Sequence, residues 1–314
     1  MNPIQTDAAC RPSSVASLTV AYNGAHPLRR QLDVLLRQSR ALDEIVVVDN
    51  ASTDGTLEML ASEYPQVTVL RCQRNTGAAG GFARGWQYAI GKGHNWVWSF
   101  DQDSVPDERA LETLLRGQEL MGAAIVVPLP VDPRSGISYS PLWWRDGLVR
   151  PDKKTLELDV WFADVAVASG SLVRRDVIAI AGVPREEFFM DFFDFEYCLR
   201  ARGHGFQIAV IRECKLSHEI GRSKAVRFLG KRRTWPVQEA WREFYVGRNA
   251  AYVVCYIYPS VKAKFWLARY VLRHAVAVLL FGEHRAPALI RFLQGTIDGI
   301  RGQLGVRFLP GQRV

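Results

Sequence analysis

Apolar residues in the first half of the chain follow two alternating patterns. Short continuous runs such as 44–48 (EIVVV) are rich in β-branched residues, which is typical of buried strands. Between the runs, Leu28, Leu32 and Leu35 recur at intervals of three and four, which is typical of a helix with one apolar face. The alternation predicts an α/β fold, with a mostly parallel sheet flanked by helices on both faces. The predicted strands are 15–22, 44–48, 67–71, 96–100 and 123–127, and the predicted helices are 27–37, 54–62, 80–90 and 106–115.

Residues 128–159 break this alternation. They contain Pro, Gly and the adjacent Trp143 and Trp144, and they predict a long excursion over the sheet. The two tryptophans either stack on a bound sugar or fill the core, and the pattern leaves both roles open. Further regular structure is expected in 160–173, 189–202 and 206–211.

Charge is distributed unevenly along the chain, whose 314 residues carry a net charge of +8. Residues 222–314 hold 17 Lys and Arg against four acidic residues, so they carry +13 and the preceding residues carry −5. We therefore predict a sheet domain over 1–221 and a basic amphipathic helical region over 222–314. The basic region suits an anionic membrane or a nucleic acid, and its alternative role is a solvated basic face.

The composition is that of a folded protein in a reducing compartment. Hydrophobic residues make up 48% and charged residues 23%, which excludes disorder as the main state. Five cysteines, Cys10 among them, form no CxxC pair, so no disulfide framework is indicated. The N-terminus lacks the apolar segment of a secretory signal. The apolar stretch 265–281 contains Arg269 and Arg273, so no transmembrane span is predicted.

Polar clusters follow the first four predicted strands. Because the carboxyl ends of parallel strands meet at one edge of a sheet, where open α/β sheets bind ligands, we expect these clusters to form a single rim. The rim consists of Ala21-Tyr22-Asn23, Asp49-Asn50, Asn75-Thr76-Gly77 and Asp101-Gln102-Asp103.

Asp101 and Asp103 place two carboxylates one residue apart at a strand end. One can reach the ribose of a nucleotide sugar while the other ligates a hard divalent cation that bridges its phosphates. His218 can complete that cation site, because imidazole with carboxylates and phosphates suits Mg²⁺ or Mn²⁺. The alternatives are a solvated turn for the aspartates and a surface position for the histidine.

Two other clusters suit the nucleotide itself. Asp49 ends a buried strand, where its carboxylate can bond a base or a ribose. Farther on, closely spaced glycines open a helix, so backbone N–H groups can approach an anion while an arginine helps to hold a pyrophosphate; tight helix packing is the alternative. The spacing matches neither GxGxxG nor GxxxxGK[ST], which disfavours a dinucleotide enzyme and a P-loop ATPase. The residues of the second cluster are Asn75, Gly77, Gly80, Gly81 and Arg84.

The acidic aromatic segment 188–202 contains a candidate general base. Glu196 and Arg200 stand four residues apart and predict an ion pair within one helix. Asp194 lies near the start of that helix among aromatic residues, where desolvation can raise its pKa into the range of a general base. Its alternative role is a helix cap.

In their order and spacing, these segments resemble the inverting glycosyltransferases of family 2, which have the GT-A fold. The resemblance covers about 15–221. The family's (T/V)-x-Y-N lies at 20–23, its V-D-(D/N)-x-S-x-D-x-(T/S) at 48–56 and its N-x-G-x-x-G-G-x-x-x-G at 75–85. The motif FDQDS at 100–104 is most similar to the corresponding motif of the rhamnosyltransferase branch.

The resemblance implies a Rossmann-like sheet that binds a nucleotide-sugar donor and transfers its sugar to a saccharide acceptor with inversion. It favours L-rhamnose from dTDP-L-rhamnose, with galactofuranose or another UDP-sugar as the rival. Asp103 and His218 would hold Mg²⁺ or Mn²⁺, and Asp101 would bind the ribose. The other donor-binding residues it implies are Ala21, Tyr22, Asn23, Asp49, Asn50, Ser52, Asn75, Gly77, Gly80, Gly81, Arg84 and Gln102.

The resemblance also implies which residue is the catalytic base. Many family members carry E-D-x-D-x-x-x-R, whereas this chain has Phe193 in place of the Glu and Glu196 in place of the later Asp. Counting back six residues from Arg200 gives Asp194 as the base, and Asp191 is the second candidate.

The C-terminal region indicates where such an enzyme works. In 259–281, Lys262, Arg269 and Arg273 share one helical face, which suits a helix lying in a membrane interface. We therefore expect peripheral association with the cytoplasmic face of a bacterial inner membrane and a lipid-linked acceptor for lipopolysaccharide or another surface glycan. The acidic rim argues against a nucleic-acid partner, and the retained aspartates argue against a non-catalytic module. The sequence is also compatible with a homo-oligomer.

Overall fold

A computed structural model describes residues 13–311, apart from 135, 137, 139–140, 219–221, 229–230 and 283, and for 222–237 it describes the backbone. Cys10 and the predicted boundary at Gly221 lie outside the described residues. Every element predicted in the first half is present, with ends displaced by a few residues. The structure adds one short strand that was not predicted, at Ser104–Pro106. The elements of this half are β1 (Val15–Ala21), α1 (Ala25–Leu35), β2 (Glu44–Asp49), α2 (Thr56–Glu63), β3 (Thr68–Arg71), α3 (Gly77–Gly91), β4 (Trp96–Asp101), β5 (Ser104–Pro106), α4 (Ala110–Met121) and β6 (Ile125–Val131).

The middle of the chain alternates short strands with helices. A single 3₁₀ turn, Glu186–Phe188, leads into the segment that carries Asp191 and Asp194. The expected excursion contains two short strands and one short helix. The elements are β7 (Trp143–Trp144), β8 (Leu148–Val149), α5 (Lys153–Glu157), β9 (Val160–Ala163), β10 (Leu172–Arg174), α6 (Arg175–Ala181), α7 (Phe193–Gly203) and β11 (Ile208–His218).

The C-terminal region begins with a hairpin. The expectation of helix directly from Arg222 is wrong, because 222–228 and 231–237 form two antiparallel strands. Val226, Thr234 and Val237 are β-branched, and Pro236 disfavours a helix interior, so local preference favours strands there. The elements are β12 (Arg222–Phe228), β13 (Lys231–Val237), α8 (Ala240–Tyr252), α9 (Val261–Phe281) and α10 (Arg285–Ile300).

A nine-stranded mixed sheet organises the molecule. Its order is β3-β2-β1-β4-β10-β6-β11-β5, with β9 also paired to β11. The strands β3, β2, β1 and β4 are parallel, as predicted, and β10 is antiparallel to both of its neighbours. The register sets Ala21 opposite Asp49 and Val20 opposite Asp101, so the carboxyl ends of β1, β2 and β4 meet at one edge.

Apolar side chains cover both faces of the sheet. On one face, Leu28 and Leu32 of α1 are fully buried, as their spacing predicted. On the other, Phe82 and Trp86 of α3 join a core that continues into the C-terminal region through Val254. Trp144 belongs to this core and contacts Trp266 of α9, with ring centroids 6.0 Å apart, so it has the core-filling role. Among the described residues, no helix is long and apolar enough to cross a membrane.

Candidate active site

Two strand ends bring together three groups suited to a cation. Asp101 ends β4, Asp103 follows it, and His218 ends β11, whose pairing with β5 sets His218 opposite Ser104. The Nε2 atom of His218 lies 3.8 Å from Asp101 Oδ2 and 3.7 Å from Asp103 Oδ1. These distances exceed ordinary hydrogen bonds, and the three ligand atoms lie within 4.8 Å of one another. Two carboxylate oxygens and one imidazole nitrogen at this spacing fit Mg²⁺ or Mn²⁺.

The turn that carries these aspartates is held from beneath by buried polar side chains. The Nε2 amide of Gln31 donates to the carbonyl oxygens of Asp101 and Ser104, and Ser169 Oγ accepts from the Asp101 N–H at 3.0 Å. Gln31 is fully buried on the apolar face of α1, and Thr19 donates to its Oε1. Gln31 was not among the predicted site residues, although a polar residue within the stripe of Leu28, Leu32 and Leu35 was a detectable signal.

Gln102, Asn23 and Ser52 hold the rim backbone together. The Gln102 amide pairs with the backbone of Tyr22, accepting from its N–H at 2.8 Å and donating to its carbonyl at 3.1 Å. Asn23, with φ +48°, accepts from the Thr53 N–H through Oδ1, and its own N–H donates to Ser52 Oγ. These contacts connect the ends of β1, β2 and β4. Tyr22 and Asn23 retain exposed surface for a ligand.

Asn50 connects the end of β2 to the glycine-rich turn. Its Oδ1 accepts from the Thr76 N–H at 2.8 Å, and its Nδ2 donates to Asn75 Oδ1 and to the Gly77 carbonyl. The side chain is therefore bonded through both its oxygen and its nitrogen, and it fixes the start of α3. The neighbouring Asp49 is buried and accepts from the Ser52 N–H at 3.3 Å.

The glycines at the start of α3 permit close packing. A Cβ on Gly81 would lie 2.5 Å from the side chain of Val20, and one on Gly80 would lie 2.6 Å from Thr76. Gly77, at φ +73°, approaches the backbone of Phe189, so a side chain there would meet the Phe189 carbonyl at 2.1 Å. Arg84 is exposed on α3. The packing alternative thus explains Gly80 and Gly81, while Gly77 joins the rim to the segment that carries the candidate base.

The segment 186–194, which we call the base loop, has an unusual backbone. Phe189, Asp191 and Phe192 have φ values of +62°, +55° and +60°. Such left-handed conformations cost non-glycine residues on the order of 1 kcal/mol or more each, so surrounding contacts must hold them. The loop ends at α7, where the predicted Glu196–Arg200 ion pair is confirmed at 2.9 Å.

Two residues of α8 provide those contacts. The Asn249 amide nitrogen is within hydrogen-bond distance of the carbonyl oxygens of Phe188, Met190 and Asp191. Arg248 donates to the carbonyl oxygens of Phe188 and Glu187 at 2.8 and 2.9 Å. Both side chains are buried. Neither residue was among the predicted site residues, although an Arg-Asn pair inside a helix with many apolar residues was a signal.

Asp191 and Asp194 differ in their electrostatic partners. Arg242 of α8 forms a two-pronged ion pair with Asp191, with N···O distances of 2.8 and 3.0 Å. Asp194 instead accepts from the Phe195 N–H at 2.9 Å. Burial, reinforced by the negative charges of Asp191 and Asp101, raises the pKa of Asp194 to about 7. Asp194 is therefore suited to accept a proton near neutral pH, whereas Asp191 forms an ion pair with Arg242.

These groups form one site. The charges of Asp191 and Asp101 act on Asp194, and those of Asp191, Asp101 and Asp103 raise the pKa of Arg242. The site thus combines a carboxyl group with a pKa near neutrality, three side chains that could hold a cation and an arginine from the C-terminal region. A proton acceptor beside a site that can bind a diphosphate is the arrangement that group transfer from a nucleoside diphosphate requires.

Solved structures with the same fold bind UDP. The structure of GalNAc-T7 with UDP, GalNAc and Mn²⁺ matches at a TM-score of 0.56 and 15% identity, over 85% of this chain and 57% of that one. S. aureus TarS 1-349 in complex with UDP matches at 0.52 and 13% identity, over 96% of this chain and 98% of that one. The architecture is the GT-A fold.

Sequence relatives transfer two different sugars. The dTDP-rhamnosyl transferase RfbF of Shigella flexneri is 26% identical over 295 residues, which cover 93% of this chain and 97% of the relative. The galactofuranosyltransferase GlfT1 of Mycobacterium tuberculosis (strain ATCC 25618 / H37Rv) is 29% identical over 252 residues, covering 77% and 82%. The family model for glycosyl transferase family 2 matches residues 18–179. The chain belongs to this family and is a glycosyltransferase.

Proposed function

We propose that this enzyme transfers L-rhamnose from dTDP-L-rhamnose to a hydroxyl group of a saccharide acceptor, with inversion at the anomeric carbon. Support comes from the similarity to a dTDP-rhamnosyl transferase along nearly the whole of both chains. The Asp101-Gln102-Asp103-Ser104 spelling is consistent with that donor. The observation that carries the inverting mechanism is Asp194, a carboxyl group with a pKa of about 7 beside the cluster of Asp101, Asp103 and His218.

In this mechanism Asp194 is the general base. Its carboxylate removes the proton from the acceptor hydroxyl as that oxygen attacks the anomeric carbon, and the bond to the nucleoside diphosphate breaks on the opposite face. Asp191 keeps Arg242 beside the site, and its negative charge helps to keep the pKa of Asp194 high. The rim residues Tyr22, Asn23 and Asp49 would hold the nucleoside.

Asp101, Asp103 and His218 would hold Mg²⁺ or Mn²⁺, and such a cation would supply positive charge for the departing diphosphate. In this assignment Asp101 is available to the cation as well as to the ribose, because its Oδ2 faces His218. We further propose a lipid-linked saccharide as acceptor, in lipopolysaccharide or other surface-glycan synthesis. The enzyme would then work peripherally on the cytoplasmic face of a bacterial inner membrane.

Galactofuranosyl transfer from a UDP-sugar is the second candidate. The identity to a galactofuranosyltransferase is 29%, which favours this candidate because it exceeds the 26% identity to the rhamnosyl relative. The galactofuranosyltransferase alignment is the shorter one, at 252 residues against 295. Both candidates require the same base and the same cation ligands. They differ in the nucleotide, which therefore distinguishes them.

Nucleotide binding to the purified protein tests the proposal. We expect dTDP with Mn²⁺ to raise the melting temperature more than UDP or GDP, since a ligand at 100 times its Kd adds about 2.7 kcal/mol to the free energy of unfolding. Omitting Mn²⁺ should remove most of the shift. A larger shift with UDP would favour the galactofuranosyl candidate, and no response to any nucleotide would contradict donor binding altogether.

A further inference from the structure

Exposed large apolar side chains are concentrated on the last two helices. Among the described residues, eighteen large hydrophobic residues are exposed, and ten of them lie on α9 and α10, six on the first helix and four on the second. Scattered exposed apolar residues are normal on a soluble surface. A concentration on two neighbouring helices indicates a surface that is covered by something.

On α9 these residues form a stripe that faces away from the core. Phe265, Leu272 and Val276 are 68%, 67% and 46% exposed, and their spacings of seven and four place them on one side of the helix. Ala263 and Leu267, nearly opposite on the helical wheel, are buried against the sheet domain. The stripe is therefore not part of the packing that holds α9 in place.

The second helix repeats this arrangement. Ile290 and Ile297 of α10 are 54% and 47% exposed, and they are seven residues apart. The opposite side of α10 packs inward: Phe292 is fully buried, and its ring lies 4.4 Å from that of His274 on α9. The two helices thus pack together through their inner sides and leave an apolar stripe on each outer side.

The charges beside the stripe are positive. Lys262, Arg269 and Arg273 are exposed along one border of the α9 stripe, and the sequence of α9 contains no Asp or Glu. The one acidic residue of α10, Asp298, is buried and pairs with Arg307. An apolar stripe bordered by cations complements the interface of an anionic bilayer, where apolar side chains enter the acyl boundary and cations meet lipid phosphates.

Helix α9 also reaches the active site. Tyr270, on its inner side, lies with its ring 6.4 Å from that of Phe192 in the base loop, two residues before Asp194. The outer stripe is on the other side of the same helix, about 10 Å away. A surface bound to the stripe would therefore lie close to the base loop.

We propose that the outer sides of α9 and α10 form a docking surface for a bilayer rich in anionic phospholipid. In the docked protein, the base loop lies about one helix diameter from the lipid headgroups. In combination with the proposed function, on which this consequence rests, an acceptor sugar attached to a membrane lipid meets Asp194 near the membrane surface. The docking itself requires neither donor nor acceptor.

Vesicle flotation of the full chain tests this surface. The protein should float with vesicles that contain about one third phosphatidylglycerol in phosphatidylcholine, and weakly with phosphatidylcholine alone. The double variant Phe265→Ser/Leu272→Ser should lower the partition constant at least about tenfold, because both side chains enter the interface. Arg269→Gln/Arg273→Gln should lower binding at low salt, and the difference should shrink at high salt.

A matched control is available on the sheet domain. Leu120 and Ile180 are 75% and 58% exposed and lie outside this surface, so Leu120→Ser/Ile180→Ser should float like the original protein. The melting temperature without nucleotide should be nearly the same in every variant, which shows that the fold is intact. Failure of the original chain to float, or equal losses in the control, would overturn the docking surface.

A second copy of the chain is the competing occupant. If Phe265→Ser/Leu272→Ser converts a dimer to a monomer in analytical ultracentrifugation while flotation is unchanged, the proposal is overturned. Loss of flotation with an unchanged sedimentation coefficient supports it. Neither result depends on which nucleotide sugar is the donor.

Discussion

The turn that carries the candidate cation ligands and the base loop lie in the same candidate active site but are built differently. The turn around Asp101 and Asp103 sits at the end of a buried strand, and Gln31 and Ser169 of the sheet domain hold it. The base loop is held by Asn249, which is 55 residues farther along the chain than Asp194 and belongs to the C-terminal region. The loop that carries the candidate base therefore depends on a helix outside the segment that the family model matches.

This difference shows what the basic C-terminal region contributes. Besides its charge, it supplies Arg242, which pairs with Asp191, and Arg248 and Asn249, which bond the carbonyl oxygens of the loop. A strained loop with three left-handed residues needs such contacts. A turn at a strand end is held in place mainly by the hydrogen-bonded strand that precedes it. Variants can separate the two modes of support.

The largest effect is expected at the base. Asp194→Asn removes the proton acceptor with little change in shape, so turnover should fall by about 10²–10⁴-fold. Stabilisation by dTDP and Mn²⁺ should remain, because the donor side is intact. Steady-state kinetics and melting curves measure the two quantities. If Asp194→Asn keeps near-normal turnover and Asp191→Asn loses it, the assignment of the base is reversed.

A smaller effect is expected when each support is removed in turn. Asn249→Ala leaves loop carbonyls without their donor, and a displaced base should lower kcat by about 10–100-fold with donor affinity nearly unchanged. Asn50→Ala is the matched variant on the rim, where it frees the Asn75–Gly77 turn. It should weaken donor binding more than it lowers kcat. Identical changes in both variants would contradict separate supports.

The smallest effect is a shift in pH dependence. With a pKa of about 7, Asp194 is protonated below neutral pH, so kcat/KM should fall as the pH drops through about 7, far above the ordinary aspartate value. Asp191→Asn removes a negative charge that raises this pKa, and the acid limb should move down by up to about one pH unit. Asp176→Asn, on α6, is the control and should leave the limb in place. An unshifted limb in Asp191→Asn would contradict the coupling.

Much of the sheet domain was predictable because its signals are local. The run 44–48 identified a buried strand, and Leu28, Leu32 and Leu35 identified a helix face; both were confirmed. Asp101, Asp103 and His218 were grouped correctly around a common point, since strand ends of a parallel sheet converge. The prediction of helix from Arg222 rested on the basic composition of the region. The β-branched residues and Pro236 of the strands 222–228 and 231–237 favour a hairpin instead.

The residues that position the base were not predictable in the same way. The partners of Arg248 and Asn249 are backbone carbonyls, which carry no sequence signature. Arg242 instead pairs with the carboxylate of Asp191, which lies 51 residues earlier in the chain. Gln31 interrupts the apolar stripe of its helix, but the sequence does not indicate that its amide bonds the Asp101 turn, 70 residues farther along the chain. Contacts of this kind depend on how whole elements pack.

The sequence by itself determined the α/β class, the strands that build the rim, and the chemical groups available there, because hydrophobic periodicity and short motifs act over a few residues. The tertiary structure alone decided that Asp191 is paired and Asp194 is not, that α8 holds the base loop, and that the stripes of α9 and α10 face outward. These outcomes depend on burial and on distances between residues far apart in the chain, and both arise only when the helices pack against the sheet.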